Sequence, residues 1–326
     1  MIVNLFRHTQ AISILSVLGL CIFLCMSISF QETSINLDAT SPLDNFLLIP
    51  IIKLKLVEQV LVTVLVFWQC IYINKIMVGQ KLLSSNSFYP ALFYCISISL
   101  WHQALHLSTE LIAISFILIS LNKTLGTYQS KNAYSNIFEL SFSLSFATLI
   151  HPPFFVFIPL TWIGISIFSQ FEWRTWVLSI IALLCPWVVL LSFTNYFEVN
   201  ELQLINFVSF IHIKNPIINI NKIELIGLIL LSIVFLITSN ELLQSLNRKN
   251  IKSRKSYIYI MWFLPFFILY FLISPAIIWN KLLILTIPLT AIISNYFYYT
   301  KKSNWLNFIG ISMLTYLLIT RIVGIN

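Results

Sequence analysis

The chain has 326 residues, of which 59% are hydrophobic and only 9% are charged, whereas charged residues make up about 25% of an ordinary soluble domain. A soluble fold cannot hide that much apolar surface, so the composition excludes a soluble globular protein. The formal net charge of +8 does not indicate nucleic-acid binding, because the basic residues lie in short segments between apolar runs and not on one surface. The composition therefore indicates an integral membrane protein.

Eleven apolar stretches are candidates for membrane-spanning helices, which need about 20 residues, and fewer where a helix is partly buried by its neighbours. They lie near residues 11–30, 55–78, 88–104, 107–122, 134–150, 153–170, 174–194, 223–239, 256–274, 278–298 and 304–322. The third and fourth are short and closely linked, so each is a candidate for a broken or incompletely spanning helix. We expect an all-α transmembrane bundle with seven spans in residues 1–195 and four in residues 196–326.

The basic residues separate cleanly between alternate connections, as their enrichment in cytoplasmic loops requires. If the N-terminus is cytoplasmic, 13 of the 19 basic residues fall on the cytoplasmic side, and the cluster from Arg248 to Lys255 fixes one loop there. The six on the outer side are Lys53, Lys55, Lys214, Lys222, Lys281 and Arg321. This pattern predicts a multi-pass membrane protein with its N-terminus in the cytoplasm and its C-terminus on the outer side.

The five cysteines all fall inside apolar runs, where a thiol packs as a small hydrophobic group. Neither a CxxC metal motif nor a disulfide framework is present in their spacing. We therefore predict no metal site from the cysteines.

Titratable side chains accumulate on the predicted outer side, where four of the five histidines map together with Glu58 and Glu110. Two outer loops are long, an acidic one over residues 31–53 and a second over residues 195–221. Ionisable groups are costly at a membrane and commonly mark a functional site. We therefore expect the function to lie at this side. The four histidines are His102, His106, His151 and His212.

His102, His106 and Glu110 are spaced four residues apart, so they would share one face of a continuous helix and could hold a cation or a phosphate. The alternative is that Ser108 begins a new helix and that these residues cap it. Both interpretations stay open from the sequence.

Two other polar positions have competing interpretations. His151 precedes two prolines that end a helix by ordinary stop chemistry, and it also lies where a lipid phosphate would meet the outer boundary. Glu139, in the inner part of the fifth span, is either a proton-relay residue or the partner of Lys131 or Lys123, and we favour the pairing.

Four segments carry a resemblance to known proteins: Asn86 to Leu92, Leu107 to Glu110, Ala133 to Ile150, and Pro152 to Phe154. With these segments, residues 1–195 resemble a domain-of-unknown-function family of polytopic bacterial inner-membrane proteins, which implies that this chain is a multi-pass protein of the bacterial cytoplasmic (inner) membrane. The order of parts, a first span, an acidic outer loop, then two short spans joined by an outer turn with an acid, also resembles glycosyltransferases of the GT-C architecture.

The GT-C resemblance implies that an acid in the first outer loop removes the proton of an acceptor hydroxyl while a polyprenyl-phosphate sugar donor enters from the outer leaflet. Asp38 and Asp44 match that loop position as catalytic residues, although the loop lacks the adjacent acidic pair that many such enzymes have. No metal ligands and no cofactor are assigned, and a divalent cation is an alternative to side chains for offsetting phosphate charge. The candidates for binding substrate or phosphate are Lys53, Lys55, His102, His106, Glu110, His151, His212 and Lys214.

Three functions therefore stay open. The first is a glycosyltransferase of cell-envelope biogenesis, whose partners would be membrane lipid and a lipid-linked sugar, with no nucleic acid. The second is a non-catalytic membrane subunit of an envelope assembly or secretion complex, which would have a filled interior and a membrane-protein partner. The third is a transporter of lipids or small solutes, which would need a polar path past Glu139.

Overall fold

The computed structural model of the chain describes residues 6, 11–26, 54–83, 87–101, 105–130, 132–169, 172–196, 222–274, 278–300 and 303–323. Every regular element in these ranges is helical, which confirms the all-α class there. Short 3₁₀ turns cover Pro152–Phe157, Leu246–Arg248 and Leu283–Leu285. The α-helices are α1 (Ala11–Met26), α2 (Lys55–Gly79), α3 (Tyr89–Ser99), α4 (Thr109–Gly126), α5 (Ala133–Ile150), α6 (Ile158–Phe168), α7 (Trp173–Tyr196), α8 (Lys222–Ser245), α9 (Ile251–Met261), α10 (Phe263–Ile273), α11 (Ile278–Leu282), α12 (Thr286–Tyr299) and α13 (Ser303–Val323).

Six helical segments within these ranges are long and apolar enough to cross a membrane: residues 55–79, 109–126, 173–192, 225–248, 251–273 and 280–299. Shorter apolar helices cover 11–25, 89–99, 152–168 and 304–320. The 11 residues of α3 extend about 16 Å, roughly half of a hydrocarbon core, so this helix is as short as predicted. The 18 residues of α4 make it longer than expected.

The link between α3 and α4 breaks the helix. Residues 105–108 are not helical, and the Ser108 hydroxyl accepts the backbone N–H of Leu111 at 3.3 Å. This is ordinary N-cap geometry. The continuous helix that would have placed His106 and Glu110 on one face is therefore not formed, because the cap begins a new helix between them.

Side-chain contacts give the direction of the helices. α4 and α5 are antiparallel, since Lys123 pairs with Glu139 near one pair of ends and Glu110 meets His151 at the other. α2 is parallel to α4, because Glu58 at its start accepts the N–H of Leu107 and Gln80 after its end bonds Asn122. These contacts define two ends of the bundle.

We name these ends by their residues. The histidine end comprises residues 54–58, 105–110, 150–154, 222–223, 270–274, 278–282 and 321–323, and the basic end comprises residues 75–83, 87–89, 122–130, 132–139, 172–174, 246–255 and 295–300. α7 runs parallel to α5, since Ser141 bonds Ser179 and Ser145 bonds the carbonyl of Leu183, so α7 finishes at the histidine end. Both long connections of the chain therefore leave from the histidine end.

The remaining helices follow the same alternation. α8 finishes at the basic end, where Glu241 accepts the hydroxyl of Thr300 at 3.3 Å. α12 finishes there too, with Phe297 against Tyr89 at the start of α3. The described Lys and Arg residues divide unequally between the two ends: Lys55, Lys222, Lys281 and Arg321 lie at the histidine end, and the other nine lie at the basic end.

Most of the buried side chains are apolar, and so is much of the outer surface. Every residue of α3 is buried, which places this short helix at the centre of the bundle. The outer faces of α2, α7 and α8 expose large side chains such as Leu56, Val189 and Leu236, each more than 60% accessible. A soluble monomer rarely exposes such continuous apolar faces. These helices therefore present the surface that a lipid environment requires.

Candidate functional site

The histidine end holds a buried carboxylate–imidazole pair. Glu110 lies in the first turn of α4, and His151 follows the last residue of α5. The Glu110 Oε1 atom is 3.8 Å from Nδ1 of His151, and the two side chains are 4% and 1% exposed. The Thr109 hydroxyl is 3.5 Å from the same nitrogen. Two titratable groups this deeply buried persist only when they are partnered, and here each is the neighbour of the other.

The phenol of Tyr270 contacts this pair. Nε2 of His151 lies 3.1 Å from the hydroxyl of Tyr270 on α10, and the Asn280 side chain lies near Glu110. Phe154 packs edge-on against both His151 and Tyr270, with ring centroids 4.7 and 5.1 Å away. Carboxyl, imidazole and phenol groups in contact can bind and pass protons. We call Glu110, His151 and Tyr270 the buried cluster.

A second carboxylate–histidine pair lies beside it. Glu58 in the first turn of α2 accepts the N–H of Leu107 at 3.1 Å, and its Oε1 atom is 3.5 Å from Nδ1 of His106. The His106 side chain is 21% exposed, so this pair reaches the surface whereas the buried cluster does not. The segment from His106 to Glu110 therefore joins the two pairs, with one end on α2 and the other against His151.

Chain topology explains why Glu58, His106, Glu110 and His151 lie at the same end of the bundle. The ends of α4 and α5 are adjacent because the two helices form an antiparallel pair, and the start of α2 reaches the same end because α2 is parallel to α4. α5 ends at Ile150, and Pro152 and Pro153, which follow His151, begin a 3₁₀ turn. The helix stops here because proline cannot continue it. The imidazole is thereby held at the helix end, facing Glu110.

Three of the expected substrate- or phosphate-binding residues lie together in this site, and a fourth is close in the chain. His106, Glu110 and His151 are brought together as described above. Lys55 is exposed at the start of α2, three residues before Glu58. The remaining expected residues lie outside the described ranges: Asp38, Asp44, Lys53, His102, His212 and Lys214.

Glu139 has a structural partner. Its Oε2 atom is 2.5 Å from Nζ of Lys123, and the side chains of the pair are 44% and 32% exposed. The favoured pairing is therefore confirmed. Glu139 lies on the outside of the bundle near the basic end, so it does not line an interior path.

Two members of the site were missed by sequence reasoning. Tyr270 is one of many aromatic residues in an apolar run, and Asn280 stands beside a predicted span end, so neither carried a local signal. Glu58 did carry one, since it is an acid in the first turn of a span, but its partner could not be read from the chain.

The sequence also gave no sign of a thiol cluster on α1, α2 and α3. The Sγ atoms of Cys21, Cys70 and Cys95 all lie within 4.8 Å of one another, and those of Cys21 and Cys95 are 3.4 Å apart. Each of these residues is at most 1% exposed. These three side chains, and not the histidines, have the arrangement of a metal-ligand set among the residues that the structure describes.

A small cleft lies between α3, α12 and α13. No charged side chain lines it, and its walls are almost wholly apolar. It is therefore separate in character from the polar site at the histidine end. The lining residues are Tyr89, Leu92, Phe93, Ile96, Phe297, Gly310 and Leu314.

The fold and the site define a class: an all-α protein with several helices suited to crossing a membrane and a buried polar site at one end of the bundle. A profile of the family of unknown function DUF6427 matches residues 43–325, so the chain belongs to that family. The match continues past residue 195, where the expected resemblance ended, and it begins after Asp38. No curated protein and no solved structure matches the chain.

Proposed function

We propose that the protein crosses the bacterial inner membrane eleven times, with the basic end in the cytoplasm and the histidine end outside. The support is the distribution of charge: nine described Lys and Arg residues belong to the basic end and four to the histidine end. Cytoplasmic ends of membrane proteins are enriched in these residues. The odd number of spans then places the two termini on opposite sides.

We further propose that the protein transfers a sugar from a polyprenyl-phosphate donor to an acceptor at the outer face. The observation that carries this proposal is the convergence of Glu58, His106, Glu110 and His151 at the end from which both long connections leave. One of these connections contains Asp38 and Asp44. In this proposal the acid–base groups and the phosphate-binding groups act at one side of the bundle, as a transferase with a lipid-borne donor requires.

The reaction is a displacement at the anomeric carbon. The acceptor oxygen forms a bond to that carbon while its proton passes to Asp38 or Asp44. The bond between the carbon and the phosphate oxygen breaks, and the phosphate leaves with the electron pair. Cationic groups beside the leaving phosphate stabilise its charge, and Lys55, which is exposed, and His106, which is partly exposed, are described residues that could do so.

The buried cluster acts by positioning. Glu110 and His151 face each other and Tyr270, so their burial favours support of the site over direct contact with phosphate. Together they fix the starts of two segments, residues 107–110 and 151–154, at the histidine end. Groups that react must be held within about 0.5 Å of a productive geometry, which gives the cluster its function in the proposed enzyme.

The test is a donor-consumption assay in membrane vesicles from a host that overproduces the full chain. The probes are polyprenyl phosphates carrying radiolabelled glucose, mannose or arabinose, and the readout is label lost from the lipid fraction. The wild-type protein should consume one of these donors. Loss of a general base lowers such rates by about 10²–10⁴-fold, so one of Asp38→Asn and Asp44→Asn should be inactive. Glu139→Gln, at the opposite end, is the matched control and should keep full activity.

Two results would overturn the proposal in different ways. If both aspartate variants retain the wild-type rate, the assignment of the base is wrong. If wild-type vesicles consume none of the donors faster than vesicles from the empty host, the protein is not a transferase for these polyprenyl-phosphate sugars.

A non-catalytic membrane subunit is the second candidate, favoured by the packing of the described interior. α3 is buried along its whole length, the cleft beside it is apolar, and Glu139 pairs at the surface, which disfavours a polar transport path. If this candidate is correct, the protein purifies with a stoichiometric membrane-protein partner in native mass spectrometry, and Glu110→Gln weakens that association without changing donor consumption.

A further inference from the structure

We propose that Cys21, Cys70 and Cys95 form a binding site for one Cu(I) ion in the middle of the bundle. The site is independent of the proposed transferase centre: the cysteines lie on α1, α2 and α3, whereas Glu110 and His151 lie on α4 and after α5. Neither the family nor the spacing of the cysteines assigns such a site.

The geometry suits three-coordinate binding. Three sulfur atoms at about 2.3 Å from a common metal, in one plane, would be about 4.0 Å from each other. The Sγ atoms of Cys21 and Cys95 are 3.4 Å apart, and no pair of the three exceeds 4.8 Å. Small changes in side-chain torsion would therefore complete a trigonal site without movement of the helices.

The donor set selects a soft ion. Thiolate ligands favour Cu(I), whereas harder ions prefer oxygen and nitrogen. The nearby polar side chains are already engaged, since the Tyr94 hydroxyl donates to Gln69 at 2.9 Å and Gln69 donates to the carbonyl of Leu111 at 2.9 Å. Sulfur is therefore the donor that the site offers, and three sulfurs are one fewer than structural zinc takes.

Binding of the ion requires the thiols to lose their protons. The three cysteines are almost completely buried, and the thiolate, not the thiol, is the metal ligand. As Cu(I) is coordinated, each sulfur–hydrogen bond is therefore replaced by a sulfur–copper bond, and the displaced protons pass to the buffer. The apparent affinity for Cu(I) should consequently rise with pH.

The experiment uses the full chain in detergent, reduced and without oxygen, and titrates Cu(I) against the chelator bathocuproine disulfonate. One Cu(I) per chain should move from the chelator to the wild-type protein. Cys70→Ser and Cys95→Ser should each weaken Cu(I) binding by at least about tenfold, because loss of even an outer-shell partner lowers metal affinity by about 10–100-fold. Cys185→Ser, which alters a partly buried cysteine on α7, is the matched control and should bind as the wild type does.

The serine variants are chosen to preserve folding. Ser97 and Ser99 on α3 already place their hydroxyls on the carbonyls four residues earlier, at 2.6 and 2.7 Å. A serine at position 95 or 70 can satisfy its hydroxyl in the same way. Near-wild-type elution in size-exclusion chromatography would verify that these variants fold.

A second measurement needs no variant. X-ray absorption of the Cu(I)-loaded wild-type protein should give three sulfur neighbours at about 2.3 Å. Nitrogen or oxygen neighbours would overturn the proposal, as would Cu(I) binding that survives both Cys70→Ser and Cys95→Ser. Preferential binding of Zn(II), lost in Cys25→Ser, would replace the monovalent assignment with a four-cysteine zinc site.

Discussion

The two ends of the bundle differ in whether their charged side chains are buried or exposed. At the histidine end, Glu110 and Glu58 are buried and each lies beside a histidine and further hydrogen-bond donors. At the basic end, Glu139 and Lys123 pair in the open. A buried pair is costly to form and strongly destabilising to break, whereas an exposed pair contributes little. The contrast indicates that the carboxylates of the histidine end are retained for their function or for holding helix ends together.

The lysines of the basic end extend the contrast. Lys249 donates to Asn295 Oδ1 at 2.6 Å, Lys252 to Gln80 Oε1 at 3.0 Å, and Lys255 to the carbonyl of Ile167 at 2.8 Å. Each of these acceptors is neutral, so none of the three hydrogen bonds is an ion pair, and long lysine stems can cover apolar surface. Such residues fix the orientation and depth of the helices in a membrane.

The largest effect on stability is expected from His151→Leu. The substitution leaves the Glu110 carboxyl and the Tyr270 hydroxyl without their shared partner inside the bundle. A loss of about 3 kcal/mol in the free energy of unfolding should follow, measured by steric trapping in bicelles. His106→Leu is the matched control, because Glu58 keeps the N–H of Leu107, and it should lose about 1 kcal/mol or less. Equal losses in the two variants would erase the distinction between the pairs.

An intermediate effect should appear in the pH dependence of stability through Lys249. The Lys249 ammonium lies over the rings of Tyr257 and Tyr299. Burial at this position lowers its pKa from 10.5 to about 8. Between these two pH values the unfolded chain binds more protons than the folded chain, so stability contributed by this group rises as pH increases from 8 to 10.5.

Lys249→Met should remove that rise. Unfolding followed at several pH values would measure it, with Lys255→Met, which alters a lysine of the same segment, as the control. A pH profile of Lys249→Met that superimposes on the wild-type profile would mean that the Lys249 ammonium is solvated.

The smallest effect is expected from Glu139→Gln. Its partner Lys123 is partly exposed and water can solvate either charge, so the free energy of unfolding should change by no more than about 1 kcal/mol. Thermal unfolding in detergent at low and high salt would check this. A loss as large as that of His151→Leu would show that the basic end is held by its ion pair and would invert the comparison of the two ends.

Much of the fold could be predicted because its signals are local. The helices follow the predicted apolar stretches in order. Pro90 lies in the first turn of α3. Ser108 caps α4, which agrees with one of the two interpretations of this segment. The length of α4 was underestimated, because Asn122 and Lys123 end the apolar run while the helix continues to Gly126. Helix ends depend on capping as well as on hydropathy.

The site was only partly predictable. The alternation of connections predicted that Glu110, His106 and His151 lie on one side. Helical spacing then suggested that His106 and Glu110 share one helix face. In the structure, His106 instead pairs with Glu58 and Glu110 with His151. Tyr270 lies 119 positions after His151 in the chain. No spacing rule can relate such residues, because their contact depends on how α4, α5 and α10 pack.

By itself, the sequence determined that this protein is helical, suited to a membrane, and divided into a basic side and a side rich in histidine and acid. These properties follow from composition, from the length of apolar runs and from the alternation of connections, each of which is read along the chain. The tertiary structure alone decided which carboxylate meets which histidine, and it alone gathered three cysteines around one point. Those decisions arise from packing between helices distant in sequence, where a shift of one helical turn would have brought together different side chains.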